Sequence, residues 1–195
     1  MANPEAPPPG MLRITIEHTP SPTDPEGADE LYKALGIMVV AWGRLEGQFV
    51  VCLLTLLNLP GGRELGDQLP MPFERRATMW RKAFETMPAL QPFRELALTL
   101  LEGIKDVAFD LHLIVHALWE AFSSTDPPSI EIVNIKPKNK TKNGLETRRN
   151  TVTAKKLRDV AERISQLNLD MAPLSHFLTR YRSSLNPPPG DIRTV

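Results

Sequence analysis

Two histidines, His112 and His116, stand four residues apart in an otherwise apolar stretch, Asp110-Leu-His-Leu-Ile-Val-His-Ala-Leu-Trp-Glu-Ala-Phe122. On a helix that spacing puts both imidazoles on one face, one turn apart. Such a pair can be a structural feature, each ring satisfied by a carbonyl, a carboxylate or water. It can be half of a metal site, but zinc needs a third ligand. Leu113 stands where a zincin helix carries its general-base glutamate, so that motif is absent. No metal and no cofactor is expected. The pair can also do acid–base work, for which imidazole is suited because it titrates near neutrality.

Glu46 bears on each of these readings. It lies beside the apolar stripe of an earlier segment, between Leu45 and Phe49. A carboxylate there must find a partner. An interhelical Glu46–His116 pair is the expectation, and it would keep the histidine protonated or fix its tautomer. The alternative is that Glu46 reaches solvent, or meets Arg44 or another base.

The elements that must position these groups follow from the apolar spacing. Leu31, Leu35, Met38, Trp42, Leu45, Phe49, Leu53 and Leu56 recur at three- and four-residue steps, which predicts a first helix from about Asp29 to Asn58. Gly36, Gly43 and Gly47 form a second stripe on it. Helix-interior glycine costs about 1 kcal/mol relative to alanine, so the stripe suggests close approach by another helix, in the fold or across a dimer, or else relaxed helix composition. A second helix is expected from near Pro72 to Met87-Pro88, with Trp80 and Phe84 packing inward. A third, carrying both histidines, is expected from near Pro92 to about Phe122.

The pattern then changes. Ile130 to Lys136 and Leu145 to Val152 read as strands around Lys142-Asn-Gly-Leu145, and Asn-Gly between such runs is a strong hairpin signal. Thr153 is a suitable N-cap for a fourth helix running to about Leu185, which Pro173 should kink or split. The expected fold is mainly α: an antiparallel bundle of four long helices with a β-hairpin inserted between helices 3 and 4. Residues 1–28 read as a proline-rich arm, with a short strand over Met11 to His18 and a linker over Thr19 to Gly27. Residues 29–185 form the bundle, including the hairpin at 129–152, and 186–195 read as a flexible tail.

The 195 residues carry no formal net charge and contain 42% hydrophobic residues, as expected of one domain with a real core. The neutral sum hides a local polarity. Lys136, Lys138, Lys140, Lys142, Arg148, Arg149, Lys155, Lys156 and Arg158 share one window with the single acid Glu146, nine bases against one acid for a local net of +8. With Asn143-Gly144 as a two-residue turn, Lys138 faces Arg149 and Asn139 faces Arg148. Like charges across a hairpin repel, and an anion would relieve them. Lys136, Lys138, Lys140, Lys142, Arg148 and Arg149 are therefore the candidate nucleic-acid or anion-binding set. The alternative is a solvated hairpin whose lysines and Pro137 block edge pairing. The window holds no aromatic residue, so base stacking there is not expected.

The single cysteine, Cys52, excludes an intrachain disulfide and points to a reducing compartment, hence a cytoplasmic location. The N-terminus lacks the basic and apolar regions of a secretory signal. The run from Gly36 to Leu59 is interrupted by Arg44, Glu46 and Gln48, which argues against a membrane span.

Trp42-Gly-Arg-Leu-Glu46 in a long first helix, with Ile114-Val-His-Ala-Leu-Trp119 on a later helix before a turn and hairpin, resembles small bacterial HEPN-like helical-bundle proteins. In active members an arginine precedes the histidine by a few residues, and dimerisation joins two such pairs into a metal-independent RNase site. His116 matches the histidine position, whereas Leu111 stands where the arginine belongs, with His112 beside it. Lys105 precedes His112 at a looser spacing, and lysine lacks the guanidinium fork that grips phosphate in two bonds. The resemblance thus implies the fold and a homodimer, with a degenerate RNase motif. The expected function is a non-catalytic nucleic-acid-associated or regulatory interaction module, with RNA or an acidic protein as partner. One alternative is a dimeric RNase using His116, His112 and Glu46. Another is a purely structural partner-binding bundle that uses Gly36, Gly43 and Gly47 as its interface.

Overall fold

The computed structural model describes residues 28–124, 127–137 and 145–185. The expected strand at Met11 to His18, both terminal segments and Lys138, Lys140 and Lys142 lie outside the described residues, as does the side chain of Lys136. The chain forms α1 (Ala28–Leu57), α2 (Phe73–Thr86), α3 (Arg94–Val115), three strands β1 (Leu118–Ser123), β2 (Ser129–Pro137) and β3 (Leu145–Thr153), and α4 (Ala154–Leu185). Short 3-10 turns at Gly62–Glu64 and Pro88–Phe93 join α1 to α2 and α2 to α3. The protein is mainly helical, with a small antiparallel sheet ordered β1-β2-β3.

The apolar stripes do what their spacing predicts. Leu31, Met38, Leu45, Phe49, Leu53 and Leu56 of α1 are buried. They meet Leu157, Val160, Ile164, Met171 and Leu178 of α4 in one core, and α4 is the most extensive helical neighbour of α1. The α4 helix starts where Thr153 accepts the Lys156 N–H at 3.2 Å, an N-cap bond. It runs through Pro173 without a break. Arg163 of α4 donates to Asp110 of α3 at 2.7 Å and ties those two helices together.

Two expectations are overturned. The third helix stops at Val115, and Leu118–Ser123 is a strand instead of its last turns. Trp119 explains the stop: its indole N–H donates to the Ile114 carbonyl at 3.0 Å, satisfying one of the acceptors a helix end leaves orphaned. The released segment covers the second edge of β2, pairing Trp119 with Ile132 and Phe122 with Ile130 around a bulge at Glu120. A pairing partner outweighed a helical spacing pattern that Leu118, Trp119 and Phe122 also satisfy.

The hairpin register also differs. Pro137 pairs with Leu145, so seven residues separate the strands in place of the two-residue Asn143-Gly144 turn. Arg149 then faces Val133, and Arg148 faces Asn134. These pairings replace the expected ones with Lys138 and Asn139, which lie outside the described residues. The shift is odd in residue count, so it exchanges the faces on which the side chains emerge.

Of the readings of the glycine stripe, only packing inside the fold finds no contact: among the described residues a Cβ placed on Gly36, Gly43 or Gly47 meets nothing within 4 Å. Close approach occurs elsewhere, at Gly103 against Leu167 of α4 and at Gly62. A Cβ on Gly62 would lie 2.4 Å from the carbonyl oxygens of both Leu56 and Leu57. Those are backbone atoms and cannot yield like a side-chain tip. Gly62→Ala should therefore destabilise the fold by about 1–3 kcal/mol, the usual range for overpacking. Urea denaturation checks this, and an unchanged midpoint would show that the turn re-forms freely.

Cys52 is buried in the α1–α4 contact. Burial pushes its thiol up from the ordinary value, partly opposed by a hydrogen bond with Ser175. A raised folded pKa means the contribution to stability is whole below the unfolded thiol value of about 8.5 and declines as pH rises above it. Stability measured from pH 7 to 10 should fall less steeply in Cys52→Ala than in the parent protein. The native thiol should also resist Ellman's reagent until the chain unfolds.

Candidate functional site: a histidine cleft between α1, α2 and α3

The two histidines line a cleft of about 420 Å³, and Trp42 of α1, Phe73 and Glu74 of α2 and Lys105 of α3 complete its wall. The aromatic side is anchored in the core. Trp42 contacts Phe73 with ring centroids 6.1 Å apart. Phe73 contacts Phe49 at 6.1 Å, Phe49 contacts Trp80 at 5.0 Å, and Trp80 contacts Phe84 at 4.9 Å. This tilted aromatic series starts at the cleft wall and ends among fully buried side chains, so the wall rests on packed core.

On the α3 side, His112 and His116 are both exposed, with ring centroids 4.6 Å apart. They sit on the last turn of the helix, where the His116 backbone N–H closes onto the His112 carbonyl at 3.1 Å. Lys105, two turns earlier, is half-buried and bonded to Glu102 at 3.1 Å. That hydrogen bond, with a second from Arg81, holds the Glu102 carboxyl below its usual range. Glu74 lies in the first turn of α2. The cleft therefore has an aromatic floor, a cation and two imidazoles on one lip, and a carboxylate on the other.

Glu46 does not join this site. Its Oε1 accepts from Arg76 of α2 at 2.6 Å, and the expected Glu46–His116 pair is replaced by this ion pair. The Arg76 side chain is only 11% exposed and that of Glu46 36%. The carboxylate beside an apolar stripe does find a partner, as burial demands. Its partner comes from α2, which the spacing of α1 alone does not reveal. Trp42, Phe73 and Glu74 are the site residues that spacing missed as ligand-facing groups: Trp42 reads as core stripe, and Phe73 and Glu74 as an ordinary first helical turn.

The basic window is spread over the sheet and the start of α4. Arg149 donates to Glu120 at 3.4 Å and lies 4.0 Å from Glu131. Arg158 lies 3.7 Å from Glu30. Arg148, Lys155 and Lys156 are exposed without an ion pair among the described residues. Acids remote in sequence thus answer part of the local +8. Among the described residues no cluster of three His, Cys, Asp or Glu side chains is placed to hold a metal ion.

Chemically, the cleft can stack a planar ring on its aromatic wall while imidazole and ammonium donors meet an anion at its lip. No family model, curated protein or solved structure matches the chain.

Proposed function

We propose that this chain is a HEPN-like, non-catalytic RNA-associated interaction module, its four helices arranged as an antiparallel bundle, working in the cytoplasm. The observation that carries the reading is the pairing of an aromatic wall, Trp42 and Phe73, with Lys105, His112 and His116 around one cleft. Single-stranded RNA offers both complements, bases that stack on aromatic faces and phosphates that meet cations. The exposed Arg148, Lys155 and Lys156 add sequence-independent attraction.

The absence of catalysis rests on the missing arginine. Leu111 occupies its place, and Lys105 presents an ammonium that lacks the two-bond grip of a guanidinium fork. The test is fluorescence anisotropy with a labelled single-stranded RNA, run at two salt concentrations. Expected are salt-sensitive binding, weakening in Trp42→Ala and in the His112→Ala/His116→Ala double variant, and recovery of full-length RNA after incubation in chelator. Absence of binding at low salt would reject the reading. Cleavage that persists in chelator and disappears in His116→Ala would replace it with the RNase alternative, which the 4.6 Å contact between the imidazoles supports.

A further inference from the structure

Among its described lining residues the histidine cleft carries one acid, Glu74. It lies in the first turn of α2, directly after Phe73 of the aromatic wall. Its side chain is exposed, and among the described residues its carboxylate enters no ion pair. Its backbone carbonyl accepts from the Thr78 hydroxyl at 2.9 Å, a bond within the helix that leaves the carboxylate oxygens to other donors. A carboxylate repels phosphate, so it lowers affinity for a nucleic acid unless the ligand brings donors to it. The phosphate then belongs at the cationic lip of Lys105, His112 and His116, and the base belongs at Glu74.

Base chemistry selects the ligand. Guanine alone presents two adjacent donors, N1–H and the N2 amino group, on its Watson–Crick edge, and the two oxygens of one carboxylate meet both. Adenine and cytosine each set a ring-nitrogen acceptor beside their amino group, and uracil sets its N–H between two carbonyls. Those acceptors oppose a carboxylate oxygen. We propose that the cleft takes a guanine nucleotide, with the base stacked on Trp42 and Phe73, its Watson–Crick edge read by Glu74 and its phosphate at Lys105, His112 and His116. The volume of about 420 Å³ suits one nucleotide, in the lower part of the roughly 300–1,000 Å³ range of small-ligand sites. Phe109, 54% exposed in the same cleft, adds apolar surface for the ring. The assignment rests on the RNA-associated reading of this cleft and adds base identity to it.

Fluorescence anisotropy of the full chain with short oligouridylates that carry one guanosine, inosine or adenosine tests it. The guanosine probe should bind roughly 5- to 150-fold more tightly than the adenosine probe, the span of one bidentate base contact. Inosine lacks the N2 amino group and keeps N1–H, so its probe should fall between them. Glu74→Gln should lower affinity for the guanosine probe and raise it for the adenosine probe, because an amide matches the acceptor–donor pair of adenine. Loss of fold does not produce such an exchange, and the inosine comparison needs the parent protein alone. Calorimetric titrations with GMP and AMP separate the sources of the base. A GMP preference there extends the ligand to free guanine nucleotides, and a preference confined to the oligonucleotides assigns the guanine to RNA.

Equal affinity for the three probes, or an unchanged ranking in Glu74→Gln, would overturn the guanine assignment and leave the RNA-associated reading standing. If no RNA binds at low salt, that reading fails, and the guanine assignment falls with it unless GMP binds more tightly than AMP.

Discussion

Trp80→Ala should cost about 3–5 kcal/mol of folding stability, the range for removing a buried aromatic side chain. Trp80 is fully buried, and its indole N–H donates to the Ala97 carbonyl of α3 at 2.9 Å. Its ring lies between Phe49 of α1 and Phe84 of its own helix, at 5.0 and 4.9 Å. One side chain thus ties three helices together, and no neighbour can collapse into the hole without moving a helix. Domains of this size are stable by about 5–15 kcal/mol, so the loss is about a fifth of the total or more. Trp80→Phe keeps a ring in the site and gives up the bond to Ala97, so about 1–2 kcal/mol is expected. Urea midpoints at constant slope measure both. Equal costs for the two substitutions would mean that the hydrogen bond, not the packing, dominates.

Trp42→Ala should weaken binding of single-stranded RNA by roughly 5- to 150-fold, corresponding to about 1–3 kcal/mol for one base–aromatic stack. Trp42 is half-buried against Phe73, so its removal opens the cleft wall and leaves the fully buried aromatics in place. Trp42→Phe should recover part of the loss, because any aromatic face stacks. The His112→Ala/His116→Ala variant acts on the lip beside that wall. Removing hydrogen-bond donors to phosphate should weaken binding evenly across sequences. Wall and lip are therefore separable. A tryptophan variant that changed only the salt slope, or a histidine variant that changed only base preference, would reverse the assignment of roles.

Much of the architecture was legible in the residues. The α1 stripe from Leu31 to Leu56, the inward Trp80 and Phe84, the Thr153 cap and the proline-marked ends of α2 all appear as their spacing predicts. These are local signals: a helical period, a capping hydroxyl and a ring that fixes φ each act within a few residues. The register of the hairpin was not legible, because an Asn-Gly pair specifies a turn only when no better strand pairing competes, and β1 and β2 supply that competition.

The site divides the same way. That His112 and His116 share a face is a property of four-residue spacing, and any helix through them would bring the rings together. Their setting in a cleft with Trp42, Phe73 and Glu74 depends on how α1, α2 and α3 pack, as does the pairing of Glu46 with Arg76 in place of a histidine. One-dimensional order therefore determined the helices, their buried stripes and the imidazole pair, because those follow from periodicity along the chain. Only the tertiary arrangement decided which acid meets which base and where α3 ends, because each depends on segments brought together from far apart in the chain.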